Sequence, residues 1–223
     1  MRKCKIIFGC IASIAVCACS PQSNSAEEDA LNGYADLKLG MSYNDALSVI
    51  EPRNFNPVGV VECAAQIATK GCALFPESNL SSYRVIEGVP YAASLSFNKF
   101  SKLTDIELVF ERSTLDSKYE KVSKDECLSI AERTIDAAWN IFGNFSADHA
   151  NEKGVISRKT PQGHTYLVSD NSGFLGSMSH KGKSGRRADL MFYYIVTGKD
   201  TDCHASIEIS DRSNVERYKF NDK

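Results

Sequence analysis

Apolar and polar positions along the chain fall into two helical stretches, each followed by strand-like alternation. The first helix is predicted to begin at Gly40-Met41-Ser42, with Ser42 as cap and Asp45 three residues on, a capping-box spacing. Leu47 and Ile50, flanked by Tyr43 and Ala46, make its apolar stripe, and Pro52 stops it. So short a helix needs a sheet to lie on. Val58 to Leu74 reads as one or two strands carrying Cys63 and Cys72. After Arg84 to Glu87, Gly88-Val89-Pro90 marks a break. In Tyr91 to Asn98, Ala93, Leu95 and Phe97 alternate with Ser94 and Ser96. In Leu103 to Glu111, Ile106, Leu108 and Phe110 alternate with Asp105 and Glu107. With Lys99 to Lys102 as the turn, the pair predicts an antiparallel hairpin with one buried face.

The second helix is the plainest element. Ser123 and Glu126 form its capping box, and Gly143 is placed to end it. Leu128, Ala131, Ile135, Ala138, Trp139 and Phe142 recur at helical spacing, a stripe able to bury the single tryptophan. Strands are then expected near Gly154 to Lys159, Thr165 to Ser169, Asp189 to Thr197 and Asp202 to Ser210, with Gly198 to Thr201 turning the last pair. Asn171 to Arg187, rich in Gly, Ser, Lys and Arg, reads as a mobile surface loop. The expected fold class is α+β: an antiparallel sheet packed by two helices. A tandem of helix-plus-strands units, 33–112 and 113–223, and one continuous sheet fit the pattern equally.

Ahead of these elements lies a different kind of segment. Met1 to Lys5 is basic, and Ile6 to Val16 is apolar and uncharged but shorter than the roughly 20 residues of a membrane span. Val16-Cys17-Ala18-Cys19 resembles the bacterial lipobox, in which small residues precede the cysteine to be acylated. Cys19 is preferred over Cys17 because Ala18 is smaller than Val16; an ordinary secretory peptide cleaved near Ser20 is the competing reading. Residues 1–18 are thus expected to be a signal peptide and Cys19 the lipidated N-terminus, and 19–32 to be a flexible tether poor in large apolar side chains. By resemblance to enteric lipoproteins, Ser20 directs such a chain to the outer membrane, facing the periplasm.

Charge adds little. The 223 residues are 43% hydrophobic and 24% charged, as in an ordinary globular protein. Removing Arg2, Lys3 and Lys5 leaves 23 basic against 28 acidic residues, an acidic body that suits neither nucleic acid nor electrostatic adhesion to a membrane. The lipid has to hold it there. In an oxidising compartment Cys63, Cys72, Cys127 and Cys203 suggest two disulfides. Of three pairings, Cys63 with Cys72 and Cys127 with Cys203 is preferred, pinning helix to sheet. No C-x-x-C spacing argues for a metal.

No G-x-S-x-G, H-E-x-x-H or phosphate-binding loop occurs, so no catalytic residue, cofactor or metal ligand is assigned. Asp105, Glu107 and Glu111 read as the solvated side of a strand. His204 and Glu208 share a strand face, a pair that could begin a metal site but reads as ordinary exposed polar positions, and His164 and His180 have no convergent partner in sequence. Lys181, Lys183, Arg186 and Arg187, beside Phe174, Leu175 and Met178, form the one basic concentration, a candidate partner-binding loop with apolar anchors.

Leu37-Lys38-Leu39-Gly40-Met41-Ser42, leading into an amphipathic helix, resembles the opening of outer-membrane lipoproteins of the BamE/SmpA/OmlA type. Val85-Ile86-Glu87-Gly88-Val89-Pro90 and Lys102-Leu103-Thr104-Asp105-Ile106 continue the likeness, which spans Leu37 to Phe110. It implies a helix pair on an antiparallel sheet, a layout that β-lactamase inhibitor proteins carry twice. This chain is longer, has four body cysteines, and has Ile50-Glu51-Pro52 where the family has Leu-Gly-x-Pro. The functional expectation is a non-enzymatic, lipid-anchored envelope protein that binds a protein partner or maintains the envelope. The alternatives are a periplasmic inhibitor of a hydrolase of lysozyme or β-lactamase type, and an enzyme whose site assembles only in space.

Overall fold

The computed structural model describes residues 30–50, 52–77, 84–111, 122–147, 154–170, 173–197 and 200–213. The expected signal peptide, Cys19, most of the tether, residues 112–121 where the two expected units meet, and His149 lie outside them. Leu31, inside the stretch read as tether, is fully buried, so the folded body already includes that residue. No helix among the described residues is long and apolar enough to cross a membrane.

A small ribbon, β1 (Gly33–Tyr34) with β2 (Leu37–Lys38), precedes helix α1 (Tyr43–Val49). The Ser42 hydroxyl caps α1, accepting from Asp45 N at 3.2 Å and donating to the Asp45 carboxylate at 2.6 Å. A 3₁₀ turn at Pro52–Asn54 follows. The segment read as strands from Val58 is instead helix α2 (Pro57–Lys70), and only β3 (Cys72–Leu74) remains extended. The run of valines misled, because a local start signal outweighs β-branching. Asn56 Oδ1 accepts from Val58 N and Gly59 N, Pro57 supplies a preset φ, and Cys63 and Ile67 bury one turn apart.

β5 (Val89–Phe97) and β6 (Leu103–Glu111) form the expected antiparallel hairpin, but β5 already begins at Val89 inside the expected break, where β4 (Arg84–Ile86) pairs with it. Helix α3 (Lys124–Phe142) starts at Ser123, whose hydroxyl accepts from Glu126 N, and ends at Gly143, whose φ of 91° only glycine adopts readily. The strands after it are β7 (Ser146–Ala147), β8 (Val155–Lys159), β9 (Thr165–Asp170), β10 (Phe174–Lys181), β11 (Arg186–Thr197) and β12 (Asp200–Asp211).

The segment expected to be a loop is therefore β10 and the start of β11, paired from Phe174 opposite Tyr194 to Lys181 opposite Arg187. Gly176 sits beneath the Phe192 ring, where any Cβ would collide with it.

The strands make one ten-stranded sheet in the order β3-β5-β6-β12-β11-β10-β9-β8, with β4 beside β5 and β7 beside β10. The two halves of the chain join where β12 pairs β6, Ile209 opposite Ile106 and Ala205 opposite Phe110. The class is α+β, with three helices among the described residues and more sheet than the two-helix expectation. All three helices cover the same face. Tyr43 of α1 meets Phe97 edge-on at 5.2 Å, while disulfides tie Cys63 of α2 to Cys72 and Cys127 of α3 to Cys203. Leu95, Phe97, Ile106, Leu108, Phe110, Ile207, Leu190 and Phe192 form the buried layer between. Trp139 is only partly buried at its margin.

Candidate functional site

Because strand residues alternate, every side chain not under the helices points to the opposite face. Strand register sets those side chains in rows across the sheet. One row runs Leu175, Tyr193, His204, and the next Ser177, Met191, Ser206, Val109, Ala92. A third runs Ser179, Asp189, Glu208, Glu107, Ser94, and a fourth Lys181, Arg187, Ser210, Asp105, Ser96. Leu175 of the first row and Met191 of the second are 55% and 49% exposed, and Ile195, one row beyond the first and opposite Asp202, is 48% exposed. The last two carry most of the charge, with Glu111 opposite His204 closing the first. Exposed apolar side chains of β11 and β10 therefore border a carboxylate row on a face that no described helix covers.

Three carboxylates sit side by side in the third row, since Glu107 lies opposite Glu208 and Glu208 opposite Asp189. Asp189 is paired with Arg187, and Arg212 Nη2 stands 3.6 Å from its Oδ2. Burial pushes the Glu208 carboxyl above its ordinary value of 4.5, and Asp105, Asp189 and Glu107 push it the same way against the pull of Arg212. A carboxyl with a higher pKa folded than unfolded binds more protons when folded. Its contribution to stability is greatest below pH 4.5 and is lost as pH rises toward the folded value. Glu208→Gln is therefore expected to be more stable than the parent at pH 7 by roughly 0.5–1 kcal/mol, the scale of cross-strand pairs. The gap should close below about pH 4, where the parent side chain is also neutral. Urea titrations at the two pH values measure this; a parent as stable as the variant at pH 7 refutes it.

The seven residues of the expected basic loop do not form one patch. Phe174 and Met178 lie in the core under the helices, 4% and 1% exposed, and anchor nothing from outside. Strand alternation sends Leu175 to the uncovered face, with Lys181 and Arg187 opposite each other in register farther along it. Lys183 lies in the turn between the strands, and Arg186 begins β11.

The histidines divide as well. His204 stacks on Tyr193 at 4.8 Å, and His180 is buried with Nδ1 against Asn144 O. His164 acquires the partner its sequence context lacked: Nδ1 lies 2.8 Å from Oδ1 of Asp136, a carboxylate 4% exposed. Thr160 Oγ1 donates to that same oxygen, Gln162 N points at Oδ2 from 3.4 Å, and the imidazole stacks on Trp139 at 4.6 Å. The cluster ties the β8–β9 turn to α3. Asp136 was missed because it falls inside a helical stripe otherwise read for apolar residues. Among the described residues no three His, Cys, Asp or Glu side chains are grouped to hold a metal.

Among the described residues the fold is an α+β sheet with helices on one face and a mixed apolar and acidic surface on the other. No protein-family model, curated protein or solved structure matches the chain.

Proposed function

We propose that the chain is a non-enzymatic, lipid-anchored protein of the bacterial outer membrane, facing the periplasm and binding a protein partner through its uncovered sheet face. The observation that carries this reading is the exposure of Leu175, Met191 and Ile195 beside a charged row. Exposed apolar side chains gathered next to polar ones are the usual make-up of a recognition surface. The lipobox at Cys19 supports the anchor. Helix-then-strands order in 33–112 and again in 113–223 supports reading the body as two fused units of BamE-like layout, joined at β6 and β12. The alternative, a periplasmic inhibitor of a hydrolase, rests on the same tandem helix-and-sheet layout and on the basic segment, which lies in two paired strands and their turn rather than in a long loop.

The test uses a photo-crosslinking residue in place of Met191 in cells making the full chain, with the same residue at Ser129 on α3 as control. A discrete adduct from position 191 alone, abolished by adding Leu175→Asp and Ile195→Asp, is the expected result. Equal labelling from both positions, or none from 191, counts against the interface. Incorporation of labelled palmitate that survives Cys19→Ala counts against the anchor.

A further inference from the structure

The second and third rows of the uncovered face enclose an open depression of about 220 Å³, lined by Glu107, Glu208, Ser177, Ser206 and Met191 together with the arginine pair of Asp189. It is smaller than the few hundred Å³ usual for a small-molecule site and suits a single long side chain. Its floor is polar: Ser206, 4% exposed, lines it between the two glutamates and Met191.

The walls say what arrives. Two arginines border the depression: Arg187 pairs with Asp189, and Arg212 stands 3.6 Å from Asp189 and also pulls on Glu208. The bordering charges still sum to −1: Glu107, Glu208 and Asp189 against Arg187 and Arg212. Placing Glu107 opposite Glu208 costs stability, since like charges directly across strands repel. Met191, half exposed, provides an apolar wall along which methylene groups can lie. No group of three acidic or histidine side chains is placed for a metal ion among the described residues.

We propose that this depression is a socket for an arginine side chain projected by the protein partner. The guanidinium presents several donors in one plane, which matches acceptors spread over Glu107, Glu208 and Ser206 on two neighbouring strands better than a point-like ammonium does. The proposal rests on the reading of this face as a protein interface and names the chemistry of its occupant.

The probe is N-acetyl-arginine-methylamide, titrated into the isotopically labelled full chain at pH 7 and followed by NMR. Saturable shifts at the Ser206 and Glu208 amides and the Met191 methyl are expected. The uncharged citrulline analogue, nearly the same shape, should produce none. Glu107→Gln with Glu208→Gln should weaken binding at least tenfold, and Ser206→Ala, which keeps both carboxylates, several-fold. No saturable response to the arginine probe, an equal response to the citrulline or lysine analogue, or binding unaffected by the double substitution overturns the socket. Crosslinking from position 191 in cells together with silence toward the arginine probe removes the socket and leaves the interface. Loss of that crosslinking, with the arginine response intact, does the reverse.

Discussion

Replacing Cys127 and Cys203 together with alanine is expected to lower the unfolding free energy by about 4–5 kcal/mol, against about 3 kcal/mol for the Cys63 and Cys72 pair. The ordering follows from loop length. The first bond closes a separation of 76 residues and the second only 9, and the entropy removed from the unfolded chain grows with the logarithm of the loop. Both residues of the long bridge are also essentially inaccessible, 0% and 1% exposed. The bridge fastens the first turn of α3 to β12, the strand that pairs with both β6 and β11, so losing it loosens the helix over the middle of the sheet. Urea unfolding of the two double variants at one pH measures both losses. A change in slope as well as midpoint would show that the unfolded state has expanded, as a lost cross-link requires. If the Cys63 and Cys72 variant were the less stable of the two, loop entropy would not be the governing term.

The cysteines illustrate how much of the molecule its sequence discloses. Their even number, and the placing of Cys127 on a helix and Cys203 on a strand, were enough to expect both observed bonds. Caps and alternation likewise located α1, α3 and the β5–β6 hairpin, because those signals are local and each residue's partner lies within a few positions. Two elements broke the rule for opposite reasons. In α2 an Asn-Pro start signal overrode a valine-rich composition, and in β10 tertiary packing overrode a loop-like one, the Phe192 ring needing the space at Gly176. The candidate surface was legible only in fragments. Asp105 and Glu107 were placed on the polar side of a strand, and His204 and Glu208 on a shared face. That Glu208 stands between Glu107 and Asp189 depends on the register of three strands far apart in sequence, which no local pattern encodes. The same reason hid Asp136 from His164, 28 residues away.

That hidden pair should control the second large stability effect. Asp136→Ala is expected to cost about 3–5 kcal/mol, the range for breaking a buried charge-assisted network from its acceptor side. The carboxylate is almost wholly buried and serves Thr160 Oγ1, His164 Nδ1 and Gln162 N at once. Thr160, itself 5% exposed, in turn accepts from His164 N at 3.1 Å, so removing Asp136 leaves a hydroxyl donor without its acceptor in a site with little access to water. His164→Ala should cost less, about 1–2 kcal/mol, because that ring is 21% exposed and water can replace it at the carboxylate. Two further bonds brace the same contact between α3 and the hairpin, Tyr166 Oη to Glu132 at 2.7 Å and Asn140 Nδ2 to Gln162 at 3.2 Å. They should keep Asp136→Asn, which preserves shape and one acceptor oxygen, folded and intermediate in stability. Trp139 reports the contact directly, being the only tryptophan and stacked on His164. Its native-state emission should change in Asp136→Ala and His164→Ala before any global unfolding. A loss under 1 kcal/mol for Asp136→Ala, or a larger loss for His164→Ala, would mean that the carboxylate does not organise the turn. In that case apolar packing around Trp139 and Phe145, whose rings lie 6.0 Å apart, would be what holds the β8–β9 hairpin to the helix.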